Sequence, residues 1–226
     1  MLRNKFTLTA LLPMKAHSER VKGKNFRHFA GDKPLFRWIL DTLLAIEAID
    51  QVIINTDAGG MLEEHGLPKN EKIIIRPRKP ELCGDFVSMN KVLKDDVEAT
   101  DSDVYLMTHT TNPLLSKQTI EAALDRFLSV YWEDRCDSLF TVNRFQTRFY
   151  REDGSAINHD PKVLLRTQDL EPWYEENSNL YLFTKKSFEK TNARIGERPL
   201  LFTVPKSESI DIDDQESWDM AERLAR

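Results

Sequence analysis

The sequence predicts an α/β fold: a mostly parallel sheet covered by helices on both faces. Three observations carry the prediction. Short apolar strands recur along the 226-residue chain. Segments with apolar residues at helical spacing separate them. The strands are continuously apolar rather than alternating, which marks strands buried on both sides.

The first strand is Leu8 to Pro13, followed by a polar loop and an amphipathic helix over Leu35 to Ala48. Gln51 to Thr56 is the second strand, closed by the turn cluster Asp57-Ala58-Gly59-Gly60. Lys72 to Arg76 is a short β-branched strand, stopped by Pro77 and Pro80. A helix over Ser88 to Ala99 leads to the strand Asp103 to His109, which Asn112-Pro113 terminates. Ser116 is the expected N-cap of a helix over Lys117 to Tyr131. Ser138 to Val142 is the next strand.

Beyond residue 143 the pattern loosens. Phe145 to His159 carries aromatics, arginines and a turn at Asp153-Gly154, the signature of a hairpin or arm. Asn179 to Phe183 returns as a strand, with a helix from Lys185, a strand at Leu200 to Val204 and a closing helix at Ser217 to Ala225. No internal repeat or low-complexity linker is present. One domain over 1–226, with an arm at about 143–170, is the simplest organisation.

An apolar fraction of 40%, with 12 Phe and 4 Trp, fills a substantial core. The net charge of -5 argues against nucleic-acid binding, and clustered positive charge is local, around residues 15–27 and 72–79. Cys83 and Cys136 have neither metal spacing nor partners for a disulfide framework and read as reduced thiols. No apolar run approaches the roughly 18 residues of a membrane span. Residues 1–6 lack the apolar centre of a signal peptide, so a cytoplasmic location is expected.

Two stretches carry chemistry. The loop after the first strand holds Lys15, Ser18, Arg20, Lys22, Lys24 and Asn25 around Gly23. In a parallel sheet that loop faces the ligand crevice, where cations and backbone N–H groups suit a chain of phosphates. The competing reading is a solvated basic loop. The second stretch is Ile210-Asp211-Ile212-Asp213-Asp214. If extended, it points Asp211 and Asp213 the same way, as carboxylate ligands for Mg²⁺, with Asp211 on the polar face of a strand. Acids here also suit the cap of the terminal helix, Asp214 above all. Neither a P-loop, a dinucleotide-binding glycine turn nor a kinase glycine loop is present. The residues by themselves therefore predict a Mg²⁺-dependent, phosphate-handling α/β enzyme.

Six segments, in order, resemble the acylneuraminate cytidylyltransferase family. They are Pro13 to Asn25, Lys33-Pro34-Leu35-Phe36 with Asn55-Thr56-Asp57, and Arg78-x-x-Glu81-Leu82-x-x-Asp85-x-x-Ser88. Thr111-Asn112-Pro113-Leu114, Asn177-x-x-Leu180-Tyr181 and Ile210-Asp211-Ile212-Asp213 complete the set. The sequence departs from the family pattern at Lys15 (arginine in the family), Glu19-Arg20 (Lys-Gly), His109 (commonly glutamine) and Leu115 (arginine).

The resemblance implies a three-layer α/β/α Rossmann-like nucleotidyltransferase fold with a small projecting dimerisation arm, and a homodimer. It implies transfer of CMP from CTP to a sialic-acid-like sugar acid, with release of pyrophosphate. Lys15, Ser18, Lys24 and Asn25 would hold the nucleotide, with Arg78 and Ser88 as further contacts. Lys24 and Arg20 would counter the leaving pyrophosphate, and Asp211 and Asp213 would bind Mg²⁺. His109, Arg166, Gln168 and Tyr181 become candidates for the acceptor sugar, whose carboxylate needs a cation. Trp173 and Tyr174 become possible walls of its pocket. Two alternatives stay open: an enzyme of the same fold using another nucleotide and a sugar-1-phosphate, and an inactive sugar-nucleotide sensor.

Overall fold

The computed structural model describes residues 6–18, 20–31 and 33–226. In chain order its elements are β1 (Leu8–Leu11), β2 (His28–Phe29), β3 (Lys33–Pro34), α1 (Leu35–Leu44), β4 (Gln51–Thr56), α2 (Met61–Glu64), β5 (Ile73–Pro77) and α3 (Met89–Ala99). Then follow β6 (Val104–Thr108), α4 (Lys117–Tyr131), β7 (Ser138–Phe145), β8 (Trp173–Phe183), α5 (Lys185–Thr191), β9 (Pro199–Thr203) and α6 (Gln215–Ala225).

Seven strands form the main sheet in the order β5-β4-β1-β6-β8-β7-β9. All neighbours are parallel except at β8, which runs antiparallel to both β6 and β7. The central strands β1 and β6 are buried along their whole length, which explains their unbroken apolar sequence. One face packs Leu8, Ala10, Leu106 and Leu182 under α1 and α4 residues such as Phe36, Ile39 and Phe127. The other packs Leu11, Tyr105, Met107 and Phe183 against Leu93 and Val97 of α3 and Phe188 of α5. The three-layer arrangement follows.

Local chemistry sets several boundaries. Ser116 Oγ accepts a bond from the Thr119 amide at 3.2 Å, capping α4 as expected. Asp214 and Ser217 form a reciprocal capping box that starts α6. Pro77 ends β5 from within, which an edge strand tolerates.

Several elements depart from the sequence expectation: α1 ends at Leu44 rather than Ala48, and α2 was not expected. β8 begins at Trp173, six residues earlier than expected, because its first half pairs with a longer β7 while remaining exposed and polar. The β2–β3 hairpin was not anticipated, since each strand is only two residues long. It matters for the site. Phe29 of β2 meets Trp218 of α6 edge-on at 5.3 Å, in a small cluster with Val21, Leu35 and Ile212. That cluster fastens the loop after β1 to the segment before α6.

Residues 146–172 lie between β7 and β8 without joining the main sheet. Within them Tyr150 bridges Ala156 in antiparallel fashion around Gly154, which has φ of 82°. The turn expected at Asp153-Gly154 is there.

Candidate active site

At the carboxyl ends of β1 and β6 lies a cleft of about 510 Å³, lined by residues from both ends of the chain. Lys15, Ser18, Arg20, Lys24 and Asn25 come from the loop after β1; Asp211 and Asp213 come from the segment before α6. His109, Thr110 and Thr111 close the floor from β6, with Asp85, Met89 and Ser178 also in the lining.

Hydrogen bonds fix the first loop. The Met14 amide bonds Asn55 O at 3.0 Å and the Ala16 amide bonds Asp57 Oδ1 at 2.7 Å, tying the loop to the end of β4. Asn25 donates to Lys15 O at 2.8 Å and accepts from the Thr110 hydroxyl at 2.8 Å, so its amide braces the loop from inside. Gly23 turns the chain with φ of 62°, a conformation that costs a side-chain-bearing residue energy.

The acidic segment is held as firmly. The Ile212 amide bonds Thr111 O at 2.9 Å. Asn179 donates to Glu208 O at 2.8 Å and accepts from Asn112 at 2.7 Å, and the Ser116 amide bonds Glu208 at 2.9 Å. Residues 209–213 belong to no strand, which corrects the expectation of a strand with a polar face. Val21 and Ile212 are buried together while their neighbours Arg20, Asp211 and Asp213 line the cleft. The alternation of Ile210-Asp211-Ile212-Asp213 serves this small core instead.

The two ends of the chain meet directly. Lys24 Nζ donates to Ile212 O at 2.6 Å and Arg20 pairs with Asp213 at 2.8 Å. Lys15 pairs with Asp85 at 2.8 Å. Burial lowers the pKa of Lys24 below the ordinary lysine range, against the pull of Asp213 and Asp211. Burial raises the Asp211 carboxyl above the usual carboxylate range, and Asp213 adds to the shift. Asp211 Oδ1 is buried without a hydrogen-bond partner. Among the described residues no three His, Cys, Asp or Glu side chains cluster for a metal. A pair of carboxylates with one orphaned oxygen fits Mg²⁺, a cation that takes one or two carboxylates and completes its shell with water and phosphate oxygens.

The matching region of the cytidylyltransferase sequence family covers residues 9–221. The chain belongs to the cytidylyltransferase family. It is 23% identical over 214 residues to an N-acylneuraminate cytidylyltransferase of Streptococcus agalactiae, covering 92% of this chain and 51% of that protein. It thus spans about half the length of that relative. A CMP-N,N'-diacetyllegionaminic acid synthase of Legionella pneumophila is 25% identical, with 96% and 95% of the two chains covered. Among solved structures, a CMP:2-keto-3-deoxy-manno-octonic acid synthetase complexed with CTP matches with TM-score 0.65 at 14% identity, covering 97% and 98%. The 4-diphosphocytidyl-2C-methyl-D-erythritol synthase of Anaerococcus prevotii gives TM-score 0.69 at 14% identity, covering 99% and 98%. These structures establish the Rossmann-like nucleotidyltransferase fold.

Other expected site residues stand apart from the cleft. Arg78 is buried, its guanidinium bonded to Asn55 Oδ1 at 2.9 Å and Asn55 O at 2.8 Å, and it does not line the cleft. Ser88 is exposed at the start of α3, one residue before Met89 of the lining. Tyr181, expected at the sugar, is a core residue stacked on Phe140, because it falls on the inner face of β8. Arg166 and Gln168 are exposed on the arm, and both oxygens of Asp169 occupy Arg166. Trp173 stacks on Phe149 and, like Tyr174, lies outside the cleft lining. Leu115 is buried in the main core, so the family's arginine is replaced by a packing residue. Glu19 lies outside the described residues.

Sequence reasoning missed Arg194 and Ser178. Ser178 has φ of 57° at a register break between β7 and β8, where Asn177 accepts the Thr141 hydroxyl at 2.7 Å. That bulge turns Ser178 into the cleft. The motif beginning at Asn177 was the signal for it.

Proposed function

We propose that the chain transfers CMP from CTP to the anomeric hydroxyl of a sialic-acid-like nonulosonic or related 2-keto-3-deoxy sugar acid, releasing pyrophosphate. The observation that carries this reading is the convergence of Lys24 and Arg20 with Asp211 and Asp213 in one cleft. The names of the relatives support the CMP-sugar-acid class.

In this reading the acceptor oxygen bonds the α-phosphorus as the bond to the bridging oxygen of pyrophosphate breaks. Positioning both reactants and countering the charge of the leaving group are the protein's tasks. Lys15, Ser18, Lys24 and Asn25 hold the triphosphate, and Arg20 and Lys24 face the departing pyrophosphate. The Arg20–Asp213 and Lys15–Asp85 pairs are half-exposed, so they exchange for phosphate at little cost. Asp211 and Asp213 would hold Mg²⁺, which when bound polarises the α-phosphate. Burial, with Arg194 and Lys24, pushes His109 down to about 3. A neutral imidazole orients the sugar by hydrogen bonding and does not serve as an acid. Ser88 acts as an outer nucleotide contact, while Arg78, buried against Asn55 and outside the cleft lining, braces the end of β4 instead. The arm, reaching across a two-fold axis, carries Arg166 and Gln168 to the sugar of a second copy.

Pyrophosphate release tests the reading with CTP, GTP, UTP and ATP against separate pools of sugar acids and sugar-1-phosphates. Release with CTP and a sugar acid is expected. Release only with a sugar-1-phosphate indicates the sister chemistry, and CTP binding without release indicates a sensor.

A further inference from the structure

Arg194 is a cation that the reaction scheme above leaves unused. Its side chain is 19% exposed and its guanidinium lies 3.8 Å from the centre of the Tyr181 ring. Its side-chain hydrogen-bond partners are Glu176 Oε1 at 3.4 Å and Met107 Sδ at 3.9 Å. Both are long, and Glu176 Oε1 is already bonded by the Tyr181 hydroxyl. A guanidinium offers five donors in a planar fork. Held mostly out of water, with a long ion pair to Glu176 at 3.4 Å that engages one end of the fork, it has donors to spare for a second anion from outside the chain.

Its position says which anion. Met107 lies two residues before His109 on the cleft floor. The Arg194 amide bonds Asn90 Oδ1 at 3.4 Å, next to the cleft residue Met89. The Tyr181 hydroxyl beneath it reaches Ser178 Oγ, also of the lining, at 3.3 Å. In the proposed reading the cations of the loop after β1 serve the triphosphate. Arg194 lies outside the cleft lining but close enough to His109 of the floor to act on its charge, a separate positive centre beside the floor. In a 2-keto-3-deoxy sugar acid the carboxylate sits on the same carbon as the reacting hydroxyl. The site for that carboxylate must therefore adjoin the reacting end of the cleft, and a flat guanidinium matches it with two parallel bonds.

We propose that Arg194, stacked on Tyr181, binds the carboxylate of the acceptor sugar and is the residue by which the cleft selects an acid over a neutral sugar. The inference rests on the CMP-transfer reading. The arm arginine, Arg166, already has both its sides occupied by Asp169.

The experiment is pyrophosphate release with CTP and N-acetylneuraminic acid, beside the C1 carboxamide of the same sugar. Arg194→Gln is expected to raise the acceptor KM by about ten- to a hundredfold. The CTP KM should stay within about twofold, a split that a general loss of structure would not give. The wild type should show a comparable rise for the carboxamide, and Arg194→Gln should add nothing to it. Arg194→Lys, which keeps the charge over Tyr181, should fall between the two. Arg166→Gln should leave the wild-type preference for acid over carboxamide intact. An unchanged acceptor KM in Arg194→Gln, or an acid preference lost in Arg166→Gln instead, overturns the assignment while leaving CMP transfer standing. A wild type that releases no pyrophosphate with any sugar acid removes both.

Discussion

A buried carboxylate oxygen without a hydrogen-bond partner costs about 1–3 kcal/mol or more, and Asp211 carries one. Nothing in packing requires it, since the segment meets the adjacent core through Ile212 and Ile210. Asp211→Asn keeps the shape and removes the charge. We expect turnover at saturating CTP to fall by about a hundredfold or more, with a melting temperature no lower than wild type. Wild-type turnover in that variant would remove Asp211 from the chemistry. His109 makes a different prediction. With its imidazole held at about 3, against roughly 6.5 in the unfolded chain, the unfolded state takes up a proton first as pH falls. Its stability contribution is complete above pH 6.5 and is lost progressively between 6.5 and 3. Because the residue is only partly buried, we discount the loss to about 1–2 kcal/mol at pH 5. Urea unfolding of His109→Gln at pH 7 and pH 5 should show a correspondingly smaller drop than wild type. Equal drops would mean that the histidine protonates normally in the fold.

Elements whose sequence reports their own burial were legible. Gln51–Thr56 and Lys117–Tyr131 match expectation to the residue, because apolar content, caps and breakers all agree there. The first half of β8 was not legible. Trp173 to Glu176 are exposed, and they form a strand only because β7 lies beside them, a long-range fact with no local signature. The same limit explains Tyr181: a tyrosine near a family motif reads as a sugar contact, while the strand's register buries it. Asp213 and Asp214 show the reverse case, two adjacent acids separated by role. Asp214 caps α6 and Asp213 faces the cleft, as helix-cap chemistry and the extended spacing together anticipated. Asp214→Ala should therefore lower unfolding stability by about 1 kcal/mol. Because α6 packs on the hairpin that steadies the first loop, the CTP KM should rise modestly as well. A stability loss without any change in CTP KM would separate the cap from the site.

At the scale of the whole molecule, the cleft unites residues nearly two hundred positions apart, and the small Phe29–Trp218 cluster is what holds them together. The cations and the acids were each visible in the sequence; their meeting was implied only by the order of family motifs, since no local rule places chain ends side by side. The arm poses the remaining question. Val163, Leu164 and Leu165 are 53%, 87% and 47% exposed in succession, with Tyr150 and Tyr174 also exposed, at 52% and 46%. Consecutive exposed apolar side chains on a projecting segment mark a surface that another molecule covers. A second copy of this chain is the partner we propose, since it would also bring Arg166 and Gln168 to a cleft they do not reach within one chain. Wild-type protein should sediment as a dimer, and Leu164→Glu, which plants a charge at the most exposed of the three, should sediment as a monomer. The monomer should keep its affinity for CTP, because the loop proposed to hold the triphosphate belongs wholly to one chain. It should lose turnover by about tenfold or more, because the acceptor's outer contacts depart with the partner. A wild type that sediments as a monomer with full turnover would show that the arm serves neither assembly nor the sugar.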